Sequence, residues 1–70
     1  MTLGQSIRYL RHSNLPRTTQ QHFATKVGIS QTYMSQIESD KKVPTIDTLQ
    51  MIAAELGVKV SEIFLTNERL

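Results

Sequence analysis

The sequence predicts an all-α domain of five short helices. Its apolar residues recur three and four positions apart, the repeat of amphipathic helices rather than the alternation of strands. Only three glycines and two prolines interrupt that repeat in 70 residues. Four of the apolar segments also follow a Ser or Thr placed to cap a helix N-terminus: Thr2, Thr19, Ser30 and Thr45.

The first helix is expected over about Leu3 to Ser13. Thr2 and Gln5 form a possible capping box, and Leu3, Ile7 and Leu10 form one buried stripe. Residues 13–18, with Asn14 and Pro16, read as a turn. A second helix from Gln20 to Val27 turns Phe23, Ala24 and Val27 inward and stops at Gly28, which accepts a left-handed cap without a Cβ penalty. Ser30 opens a third, about Gln31 to Ser39, with Met34 and Ile37 on one side and Gln31, Thr32, Ser35 and Gln36 on the other. After a loop containing Asp40, Lys41, Lys42 and Pro44, a fourth helix runs from Thr45 to Leu56, with Ile46, Leu49, Ile52, Ala53 and Leu56 as its stripe and Gly57 as its stop. The last, about Val60 to Leu65, is short and densely apolar, and leaves residues 66–70 as a tail too short for a sensing domain. The expected organisation is one domain over 1–65.

A chain of this length supports one small core, burying about 60% of the surface that the unfolded chain exposes, which excludes a multidomain enzyme. Without cysteine there is no disulfide, thiolate metal site or cysteine nucleophile, so packing must hold the chain, alone or together with association between copies. His12 and His22 have no matching cluster of ligands and are expected at the surface, with no metal and no cofactor. Nothing orders Ser, His and Asp as nucleophile, base and orienter, and no glycine-rich phosphate loop is present, so no enzyme is expected. No apolar run approaches the roughly 18 residues of a membrane span, and no signal-like segment opens the chain. The expected compartment is the cytoplasm, without a membrane partner.

Eight Lys and Arg against six Asp and Glu make a net charge of +2, too small by itself to name a partner, but unevenly placed. Residues 1–42 hold six basic side chains against Glu38 and Asp40, whereas residues 43–70 hold Lys59 and Arg69 against four acids. Within the basic half, two short helices are joined by only Gly28 to Ser30. They cannot lie antiparallel and must cross steeply, as in a helix-turn-helix. Ala24 falls where the two helices approach, Ile29 dips toward the core, and Met34 and Ile37 anchor the second helix, leaving its outer face polar, uncharged and rich in amides.

The stretch TQQHFATKVGISQTYMSQIESDKKVPT, followed by TLQMIAAELGV, resembles the Cro and phage-repressor type of helix-turn-helix, the xenobiotic-response-element family. Ala24 and Gly28 carry the resemblance in register with Ser30, Tyr33, Ser35, Gln36, Ile37, Glu38, Pro44 and Leu56-Gly57, and it extends from about Leu3 to Phe64. It implies a lambda-repressor-like five-helix bundle that binds operator DNA, usually as a dimer, and regulates transcription. Asp40 stands where the family often has Gly, and the turn over residues 14–18 is about two residues longer than is usual there.

The residue chemistry agrees with that import. A major groove admits one α-helix, Gln can bond bidentately to the adenine edge, and Ser or Thr can serve either base. Gln31, Thr32, Ser35 and Gln36 are therefore the base-reading candidates. A polar helix face is by itself more often only solvated; the tandem helices shift the weight toward DNA. Backbone contacts are assigned to Thr19 and Gln20, where the family commonly grips phosphate, to Lys41 and Lys42 beside the recognition helix, and to Arg17 on its charge and its position beside Thr18 and Thr19. Tyr33 is assigned to the backbone as well, its ring covering part of the core while its hydroxyl reaches a phosphate. The family often pairs an Arg with a Glu at the positions of Arg11 and Glu38, which would explain an acid on a DNA-proximal helix.

The leading reading is a dimeric repressor on double-stranded, inverted-repeat DNA. The dimer is expected because one helix reads few base pairs and because Val58, Val60, Ile63, Phe64 and Leu65 exceed what one short helix needs for its own core. The rival is an antitoxin-like module whose main partner is a protein, with DNA binding secondary.

Overall fold

A computed structural model describes the chain from Met1 to Arg69, with side chains as far as Leu65. Among the described residues there are five helices and no strand: α1 (Leu3–Asn14), α2 (Gln20–Val27), α3 (Gln31–Glu38), α4 (Ile46–Leu56) and α5 (Val60–Arg69). The lambda-repressor-like all-helical architecture that the resemblance implied is thus the one observed.

The helices start where side-chain oxygens satisfy the first backbone amides. Thr2 accepts from the Gln5 N–H at 3.2 Å, while Gln5 Oε1 accepts from the Thr2 N–H at 3.0 Å, completing the capping box. Thr19, Ser30 and Thr45 cap α2, α3 and α4 in the same way, each accepting at 3.1 Å from the amide three residues on. α2 and α4 stop at left-handed Gly28 and Gly57, with φ of 92° and 74°. Asn14 adds a second stop for α4, donating from Nδ2 to the Leu56 carbonyl at 3.0 Å.

α1 packs against α5, α3 and α4, and α2 lies between α3 and α4. Ile7, Phe23, Met34, Ile37, Ile52 and Ile63 meet in the centre, all essentially without solvent contact. Burying each side chain of this kind contributes roughly 1.5–3 kcal/mol, the main favourable term in a bundle without cross-links. α1 can approach α3 only because residue 4 is glycine. A Cβ there would stand 2.3 Å from the Ile37 carbonyl oxygen and 2.7 Å from that of Glu38.

Three expectations are corrected. Ile46 is not part of the buried stripe: it is 69% exposed. It occupies the first position of α4, where Cβ tilts toward the helix N-terminus, so its side chain points back past the helix end. Leu3, at the start of α1, is only half-buried against the core. α5 continues to Arg69 beyond its expected end near Leu65, there being no Gly or Pro after Gly57 to interrupt it. Asn14 belongs to α1, and the turn that follows packs Leu15 against the core and bonds the Thr18 N–H to the Leu15 carbonyl at 3.0 Å.

Candidate nucleic-acid interface

α2 and α3 are set at their angle by a short turn fastened to the end of α2. The Gly28 N–H bonds the Ala24 carbonyl at 2.9 Å and the Ile29 N–H bonds the same oxygen at 3.0 Å, so the chain reverses over Ala24, itself fully buried. Met34 and Ile37 then pin α3 to the core, with 0% and 1% of their surface accessible. The 3.6-residue period sends the opposite side of α3 outward. Gln31, Thr32 and Ser35 are exposed and Gln36 is half-buried.

These four residues line one open depression of about 410 Å³ together with Gln20 from α2 and Lys41 from the loop after α3. All four base-reading candidates, and two of the six backbone candidates, are thereby brought together. The remaining four lie outside it. Thr19 is exposed and spends its oxygen on the α2 cap, Lys42 and Arg17 are exposed, and Tyr33 is half-buried. Tyr33 packs against the core, as expected of its ring. His12 and His22 are both at the surface.

Behind this face lies the Arg11 and Glu38 pair. Arg11 Nε donates to Glu38 Oε2 and Nη2 to Oε1, both at 2.9 Å, with the two side chains 7% and 3% exposed. The bidentate fork leaves no bare carboxylate on the recognition helix. Two contacts here were not visible in the sequence. Gln20 donates from Nε2 to Glu38 Oε1 at 3.1 Å, and Arg11 Nη1 reaches the Thr18 carbonyl at 3.4 Å. Residues scattered over α1, α2 and α3 thus hold one network, and no local pattern announces it.

Fold and face together define a helix-turn-helix DNA-binding domain of the phage-repressor type. Residues 16–63 match the family described as helix-turn-helix, and the chain belongs to it. It is similar to the immunity repressor protein of Bacillus phage phi105, at 38% identity over 63 residues, covering 90% of this chain and 42% of the repressor. It is also similar to the control protein C.MunI of a Mycoplasma species, at 33% identity over 61 residues, covering 87% of this chain and 81% of that protein. The chain therefore spans less than half of the phage repressor's length. No solved structure gives a significant match. Among the described residues no helix is long and apolar enough to cross a membrane.

Proposed function

We propose that the chain is a dimeric repressor acting in the cytoplasm. It inserts α3 into the major groove of each half of an inverted-repeat operator and makes no catalytic step. One observation carries the reading: Gln31, Thr32, Ser35 and Gln36 line one depression with Lys41, while the helix's own acid is neutralised from behind by Arg11. Amides and hydroxyls without net charge suit base edges, and a flanking cation suits phosphate. The similarity to a protein named an immunity repressor supports the direction of regulation. Thr19, Gln20, Lys41, Lys42, Arg17 and the Tyr33 hydroxyl are the backbone contacts of this reading, and α5 supplies the dimer contact through Phe64 and Leu65, 44% and 47% exposed.

The test is selection of duplexes from a randomised pool, followed by anisotropy titration of the enriched sequence against a scrambled one. An enriched inverted repeat bound at least a hundredfold more tightly than the scrambled duplex supports the reading. Equal binding to both duplexes rejects it.

A further inference from the structure

We propose that Asp40 is a positioning residue for DNA binding: its carboxylate ties the turn after α3 to the first turn of α1 and so holds Lys41 at the edge of the recognition face. The proposal deepens the DNA-binding reading above and rests on it.

Among the described residues, Asp40 is the one non-glycine with a positive φ, 65°. It occupies the left-handed position of a helix-ending motif in which its own N–H bonds the Ile37 carbonyl at 3.1 Å and the Lys41 N–H bonds the Gln36 carbonyl at 2.8 Å. Glycine fits that conformation with less strain, so the turn alone does not account for an aspartate. The carboxylate does. Oδ1 accepts from the Gly4 N–H at 2.9 Å and Oδ2 accepts from the Thr2 hydroxyl. Gly4 belongs to the same arrangement, since a Cβ there would lie 2.8 Å from Asp40 Oδ1 as well as against the two α3 carbonyls. A carboxylate suits the amides of a helix N-terminus, and here its charge is directed at α1.

The consequence falls on Lys41. Its amide is fastened to Gln36, a residue of the recognition face, and Lys41 is among the residues that line the depression. A cation held in place loses less freedom on meeting a phosphate than one on a mobile loop.

Comparing Asp40→Gly with Asp40→Asn tests the tie. Both remove the same negative charge, so electrostatics alone predicts equal gains in affinity. Asn keeps an oxygen for the Gly4 amide, whereas Gly keeps only the turn. Each variant, and the wild type, is combined with Lys41→Ala and titrated over a range of salt on a duplex enriched by the wild-type protein, after circular dichroism has shown it folded. In the wild type and in Asp40→Asn, Lys41→Ala is expected to lower the salt slope by about one. In Asp40→Gly, Lys41→Ala is expected to lower the slope by clearly less, because the turn, no longer tied to α1, holds Lys41 less firmly. If Lys41→Ala has the same effect in Asp40→Gly and Asp40→Asn, or no effect in any background, this proposal is overturned and the DNA reading survives. A wild-type protein that binds no duplex overturns both.

Discussion

Glu38 lies on the helix that meets DNA in the proposed complex, where a bare carboxylate would repel phosphate. Its pairing with Arg11 was implied by the family resemblance, which gave the acid its reason; the bond from Gln20, 18 positions away, was not legible. Removing one partner of a buried pair strands the other charge, at a cost of about 3–5 kcal/mol. Glu38→Gln keeps part of the hydrogen bonding, so about 2–3 kcal/mol is expected in urea denaturation. Glu62→Gln, at an exposed carboxylate bonded to the Lys59 N–H, should cost under about 1 kcal/mol. Equal losses would reduce the buried pair to a surface contact. On the opposite side of α3, Gln31→Ala is expected to cost about 1–3 kcal/mol on the cognate duplex and to relax preference at one base pair. An unchanged affinity and an unchanged selected sequence would move the reading face elsewhere.

At the scale of elements, two glycines with different tasks give opposite lessons. In a free helix Gly→Ala stabilises by about 1 kcal/mol. Gly4→Ala in this chain should instead destabilise by about 1–3 kcal/mol, because the new methyl meets backbone oxygens of α3 that cannot yield as a side-chain end can. At Gly28 an added Cβ meets nothing within 4 Å, and the expected loss of about 1–2 kcal/mol comes only from φ of 92°. Thermal melts of both variants check the pair, and a stabilised Gly4→Ala would show that α1 and α3 do not meet as closely as described. The conformational role of Gly28 was legible from its place at the end of an apolar segment. The steric role of Gly4 was not, because it depends on α3 carbonyls 33 and 34 residues further along the chain.

At the scale of the whole molecule, the core is completed by Ile63, which is fully buried, while Phe64 and Leu65 beside it remain about half exposed. That division lets one substitution separate folding from association. Leu65→Glu is expected to leave helicity unchanged by circular dichroism, to shift the sedimenting species from dimer to monomer, and to weaken binding to the enriched duplex at least tenfold. The wild-type footprint should show two half-sites with centres about 34–36 Å apart. Sedimentation of the wild type as a monomer, both free and bound, would remove the dimer from the reading.

What this sequence determined by itself is what depends on neighbours three or four residues apart. Thr2, Thr19, Ser30 and Thr45 start their helices and Gly28 and Gly57 stop theirs through bonds of that span, so α1 to α4 begin and end within one residue of where the sequence places them. The inward face of each followed from the same period, except at the first helical positions Leu3, half-buried, and Ile46, exposed. The tertiary structure decided everything that joins distant segments: Gly4 against Ile37, Asp40 on Thr2 and Gly4, and Gln20 on Glu38. Those contacts depend on how steeply and how closely whole helices cross. Such crossings are set by the packing of the shared core, which no single segment of the chain contains.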